Sequence, residues 1–117
     1  MNELPPVRNY EDLRKLAIKH PKLLIAYAFK EEEGLGLRSG AVDTFPYLED
    51  KELATSACIR AFDTGDMTLQ EAALGALGYI ETERALAFIQ KVVDEALADA
   101  LIVSIATEIA TFHLIEE

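Results

Sequence analysis

The 117-residue chain has no tryptophan, one cysteine and two histidines, and its 11 lysines and arginines face 21 aspartates and glutamates. Each shortage excludes something. A single cysteine, Cys58, rules out an intramolecular disulfide framework and suits a reducing compartment, so a cytoplasmic location is expected. A net charge of −10 opposes binding to nucleic acid or to an anionic membrane surface, where phosphates call for cations. Long apolar runs are scarce too. The most apolar stretch, 96–115, carries Asp99 and Glu108 and lacks the roughly 20 clean apolar residues of a membrane span. The opening Met1-Asn2-Glu3-Leu4-Pro5-Pro6 has neither the basic start nor the apolar core of a secretory signal, so none is expected. What remains is half apolar and 27% charged, a composition that buries a core and predicts one domain over 1–117.

Residues of one type recur every 32 positions. Leu37, Leu69 and Leu101 share a column; so do Tyr10, Val42, Leu74 and Ala106. Leu13, Phe45, Leu77 and Ile109 form another, and Leu16, Leu48, Ile80 and Phe112 a fourth. Within a copy these positions step by three, which is one face of an α-helix. They predict leading helices over 9–19, 37–48, 68–80 and 99–115. A second stripe, stepping by four through Pro21, Ile25 and Phe29, then Leu53, Ala57 and Ala61, then Ala85, Ile89 and Val93, predicts trailing helices near 21–32, 51–62 and 83–96. Asn9 with Asp12 is placed to cap the first helix, and Thr68-Leu69-Gln70-Glu71 has the form of a capping box. Pro21 suits a first helical turn, while Gly34, Gly36 and Gly65 fall where turns are needed. Pro46, inside the second leading helix, should kink it.

The expected fold is all-α: about seven helices in three and a half leading–trailing pairs, stacked as an α-α superhelix. An ordinary helical bundle is the alternative. Two stretches, Leu37-Arg38-Ser39-Gly40-Ala41-Val42-Asp43-Thr44-Phe45-Pro46-Tyr47-Leu48 and Glu71-Ala72-Ala73-Leu74-Gly75-Ala76-Leu77-Gly78-Tyr79-Ile80, carry a resemblance to the HEAT-like repeats of phycobilin-lyase-type proteins. The second, continuing through Glu81-Thr82-Glu83-Arg84-Ala85-Leu86, is the closer match, and the strong part of the resemblance covers 37–93. It implies a solenoid that binds other macromolecules, and it brings no catalytic residues with it.

Sites of chemistry are sparse. His20 and His113 have no ligand partners at His-Glu-x-x-His or similar spacing, so no metal site is expected. Cys58 follows the buried-face Ala57 and reads as a small core residue. Asp63-Thr64-Gly65 spells the aspartic-protease tripeptide, but it occurs once and in a helix–helix turn, where that chemistry needs two carboxylates on β-loops. Gly34-Leu35-Gly36 with Gly40 misses the phosphate-binding spacing and follows no strand. Neither enzyme activity nor a cofactor is expected.

Charge is more informative. Residues 1–40 hold seven basic and six acidic side chains; 41–117 hold four and fifteen, and no basic residue follows Lys91. Glu31, Asp63 and Glu95 share one column at the ends of the trailing helices, thickened by Glu32, Glu33, Asp66, Asp94 and Asp99. Carboxylates at a helix C-terminus oppose its dipole by about 0.3–1 kcal/mol each, so this ridge is the candidate docking surface. A solvated acidic edge is its plainer reading. Tyr47 and Tyr79 share another column, as packing residues or as binding anchors, beside Glu49 and Glu81. The last helix is apolar nearly all round and must be covered by the array, by a second copy or by a partner. These features predict a protein-binding module for a basic partner, foremost an immunity-type inhibitor occluding the basic active site of a toxin or nuclease. A homodimeric adaptor joined through 99–115 is the alternative, and a lyase by family analogy ranks below both.

Overall fold

In the computed structural model the backbone is described for residues 7–116 and the side chains for 7–113. Among the described residues there are helices and no strands. They are α1 (Tyr10–Lys19), α2 (Pro21–Ala28), α3 (Leu35–Asp43), a single 3-10 turn at Phe45–Tyr47, α4 (Lys51–Phe62), α5 (Met67–Ile80), α6 (Glu83–Glu95) and α7 (Ala100–Glu116). The 32-residue period thus locates every element.

Local chemistry sets the boundaries. Asn9 caps α1, its side chain accepting from the Asp12 amide, and Pro21 opens α2 where its missing N–H costs nothing. The cap of α5 is Asp66, which accepts from the Leu69 amide at 3.1 Å, so the Thr68 capping box is corrected by two residues. Asp50 and Thr82 cap α4 and α6 in the same way. Gly65 supplies the left-handed turn (φ 80°) before α5, whereas Gly36 lies within the first turn of α3 and not between helices.

Two predicted helices end early. The α2 helix stops at Ala28 instead of residue 32, because the Arg38 guanidinium crosses from α3 to donate to the Ala28 carbonyl at 3.0 Å. The three glutamates that follow would also face the negative end of the dipole if the helix continued. The predicted 37–48 helix breaks before Pro46, whose ring would clash with the Val42 carbonyl and whose nitrogen has no proton for it. Buried Thr44 closes the break by donating its hydroxyl to Ala41 O at 2.7 Å.

The helices pack in chain order. Counting α3 and its 3-10 turn as one bent element, each element packs on the next, and the leading elements pack also on one another, α1 on α3, α3 on α5 and α5 on α7. The described chain measures 44 × 27 × 19 Å. Side chains about one period apart meet directly: Arg14 over Tyr47, Phe29 under Arg60, Glu52 with Arg84, and Glu81 with His113. Val42, Phe45, Leu48, Leu69, Leu74 and Leu77 are sealed, as are Leu13, Leu16 and Ala106, while Tyr10, Leu101 and Phe112 of the same columns are exposed.

Polar groups join the layers without being stranded. Thr82 and Thr55 hydroxyls lie 2.8 Å apart, Thr55 reaches Lys51 O at 2.8 Å, and Thr82 accepts from the Ala85 amide at 3.0 Å. Each hydroxyl proton is used once if Thr82 donates to Thr55 and Thr55 to Lys51 O. Gln70, buried in α5, donates to Phe62 O at the end of α4 at 3.3 Å. No buried side-chain nitrogen or oxygen among the described residues lacks a partner.

Candidate functional site

The predicted acidic ridge falls on the three turns that lead from a trailing helix to the next leading one. Asp63 is the C-cap of α4 and Glu95 the last residue of α6, but Glu31 lies in the turn beyond α2, three residues past its end. All three are exposed, as are Glu32, Asp94 and Asp99. The Arg60 guanidinium of α4 reaches the Phe29 ring at the end of α2, 3.8 Å from ring centre to guanidinium carbon, and so links the two turns that hold Glu31 and Asp63.

Several of these carboxylates have structural duties. Asp66 caps α5; Asp99 accepts from the Leu101 amide at 3.0 Å. Asp94 takes the Gln90 amide at 2.9 Å, and Glu33 lies 3.6 Å from Lys30. Glu31, Glu32, Asp63 and Glu95 have no such partner among the described residues. Sequence reasoning missed that two cations sit in this region. Arg60 stacks on Phe29 and Arg38 closes α2, so two cations lie close to the turns that hold Glu31 and Asp63.

The two column-mates Tyr47 and Tyr79 part company. Tyr47 is tied into the array: its side chain hydrogen-bonds Tyr10, and the Arg14 guanidinium lies 5.9 Å over its ring. Burial, and then that bond, push the Tyr10 hydroxyl above its ordinary pKa. Tyr79 is 82% exposed and touches no such cation. It borders an open groove of about 550 Å³ between α5 and α7, lined also by Gly75, Glu81, Glu108, Phe112 and His113.

His113 fastens the end of that groove. Its Nε2 lies 3.0 Å from Gly78 O and its Nδ1 3.2 Å from the Glu81 carboxylate. A carbonyl and a carboxylate both accept, so both ring nitrogens donate only when the ring is an imidazolium. The carboxylate comes from Glu81, the left-handed C-cap of α5 at φ 60°. Nothing in the sequence marked this pair except its separation, which equals the repeat. His20, by contrast, is an exposed boundary residue between α1 and α2.

The terminal helix packs on α5 and α6 as the next member of the array. Ile102 and Ala106 are buried there, but Leu101 and Phe112 remain 60% exposed. Of the three coverings expected for α7, the chain itself supplies that of one face. Cys58 is fully buried, and burial first, with Asp43 second, raises its thiol pKa far above the ordinary value. That excludes a ready thiolate nucleophile. The described residues contain no group of three or more His, Cys, Asp or Glu placed to hold a metal. No described helix is long and apolar enough to cross a membrane.

Comparison with protein-family models, with curated proteins and with solved structures finds no match to this chain.

Proposed function

We propose that this chain is a HEAT-like α-α superhelix that binds a basic protein, most specifically as an immunity-type inhibitor covering the cationic active site of a toxin or nuclease. The observation that carries the reading is the placement of unpaired carboxylates: Glu31, Glu32, Asp63 and Glu95 stand exposed on successive repeat turns. Carboxylates aligned in that way would occupy the positions that substrate phosphates hold in a nuclease cleft. Association would be fast and charge-steered, and the bound module would exclude substrate by volume. The contact between Phe29 and Arg60 supports a common edge for the first two turns, and with Arg60 engaged on the ring the carboxylates of Glu31 and Asp63 stay exposed to a partner.

The test uses the full chain and its charge-reversed form, Glu31→Lys with Asp63→Lys and Glu95→Lys, as baits in a lysate of its own cells. A basic protein retained by the parent in fixed stoichiometry, lost by the triple variant, and binding with an on-rate that falls steeply with salt supports the reading. Equal retention by both baits, with salt-independent association, overturns it.

A homodimeric adaptor is the second reading, favoured by the exposed Leu101 at the uncovered end of α7. Ile109 packs on Gly78 inside the array, so the informative substitutions are Leu101→Ser and Ile105→Ser. Sedimentation should then show a parent dimer that becomes a monomer; a monomeric parent ends this reading.

A further inference from the structure

We propose that the α5–α7 groove is a receptor for one arginine side chain of a basic protein partner, with Tyr79 and Phe112 against its flat faces and Glu108 and Glu81 accepting its N–H groups. This deepens the function proposed above and rests on it for the identity of the partner, but it places the anchor at a site separate from the acidic turns.

Three observations lead here. First, the groove is lined by two carboxylates, Glu81 and Glu108, and by no described lysine or arginine. Lys91 is the last lysine or arginine in the sequence, so Glu108 has no such partner after it, and Glu81 has, among the described residues, only the His113 ring, on one oxygen. Second, the rings are presented: Tyr79 is 82% and Phe112 60% exposed, the latter meeting only the His113 ring edge-on at 5.7 Å among the described rings. Aromatic faces and carboxylates together match a guanidinium, which stacks through its plane and donates in that plane. Third, the chain performs this pairing internally. One repeat earlier, Tyr47 holds the Arg14 guanidinium at 5.9 Å, and Arg60 lies 3.8 Å over Phe29. The position one repeat after Arg14 is Pro46, which has no charge, so Tyr79 is left without the cation its column-mate has.

The groove also has the right build. A side chain at Gly75 would meet nothing within 4 Å, so this turn of α5 gives a bare floor. At the closed end, His113 holds one Glu81 oxygen at 3.2 Å. The other Glu81 oxygen, and the exposed Glu108, remain to accept from a ligand. The volume of about 550 Å³ exceeds one side chain and leaves room for the flanking backbone of the segment that delivers it.

The probe is an acetylated, amidated Gly-Gly-Arg-Gly-Gly peptide, titrated into isotope-labelled full-length protein and followed by amide chemical shifts. The control is the same peptide with citrulline, which keeps the shape and removes the charge. The expected result is saturable shifts confined to 75–81 and 108–113, absent with citrulline. Affinity should fall at least tenfold in Tyr79→Ala and in Glu108→Gln, two exposed positions whose replacement leaves the remaining spectrum in place. Shifts of equal size with citrulline, shifts confined to the acidic turns, or unchanged affinity in Tyr79→Ala would each overturn the proposal. The two readings fail separately. Charge reversal at Glu31, Asp63 and Glu95 tests partner docking and should leave peptide binding intact, whereas Tyr79→Ala removes the anchor and leaves the ridge unchanged.

Discussion

Two glycines one helical turn apart in α5 should respond oppositely to the same methyl group. At Gly75 an added Cβ meets no atom within 4 Å, so Gly75→Ala changes little except helix propensity, worth about 0.8–1 kcal/mol in favour of alanine. At Gly78 the same Cβ would stand 3.1 Å from Ile109 Cγ2 and 3.8 Å from His113 Nε2. Ile109 Cγ2 is bonded directly to its Cβ, so it gives way only through χ1, which is stiff in a helix, or by moving α7. Overpacking of this kind costs about 1–3 kcal/mol, which cancels or exceeds the propensity gain. Gly78→Ala should therefore lose between about 0 and 2 kcal/mol, and the two variants should differ by about 1–3 kcal/mol. Urea unfolding at pH 7 reads this directly. With m near 1.5 kcal/mol/M, the midpoints should separate by about 0.7–2 M, with Gly75→Ala above the parent. Equal stabilisation of both would mean that α7 does not press on α5 at Gly78, and the α5–α7 register would be wrong.

Other expectations follow from the same contacts. Gly40→Ala should be tolerated, with a midpoint at or above the parent's, because the atom it meets at 3.1 Å is Leu13 Cδ1, the free end of a flexible side chain. Cys58 should resist alkylation at pH 8 in the native protein and react fully in denaturant, as its buried, pKa-raised thiol requires; fast native labelling would contradict that. Asp43→Asn should stabilise the fold at neutral pH. Asp43 lies at the surface, where partial desolvation first and Glu71 second raise its carboxyl, so the fold binds its proton somewhat more tightly than the unfolded chain does. Native stability from this group then falls as pH rises through the raised value, and the advantage of asparagine, measured by urea unfolding across pH, should vanish below the ordinary carboxylate range. His113→Ala removes the bonds to Gly78 O and Glu81 and should cost about 1 kcal/mol, with faster amide exchange in α7 than elsewhere.

The helices were legible because their signal is periodic. Val42, Phe45 and Leu48 repeat in Leu74, Leu77 and Ile80, and no other secondary structure satisfies that spacing. The ends were less so, since they depend on distant groups. Arg38 closing α2 at Ala28, and Asp66 capping α5 in place of Thr68, are choices made by side-chain geometry that spacing alone does not carry. The Pro46 break was legible in kind, as a covalent property of proline. At the candidate sites, the shared column put Asp63 and Glu95 at helix ends as expected, missed that Glu31 lies three residues past α2, and said nothing of Arg60 on Phe29. Tyr47 and Tyr79 look alike in sequence, and they differ because Arg14 lies one repeat before the first and Pro46 one repeat before the second. The groove beside Tyr79 was not legible, because it arises from two small residues of α5 facing a helix 30 residues away.

The account stands or falls on the acidic turns acting together on a cationic partner. The decisive measurement is the association rate of the basic protein that the chain retains, followed by stopped flow between 50 and 500 mM salt, for the parent and for the Glu31→Lys, Asp63→Lys, Glu95→Lys variant. The parent rate should fall by about tenfold or more across that range, and the variant should start slow and change little. Superimposable salt profiles for the two proteins would contradict it.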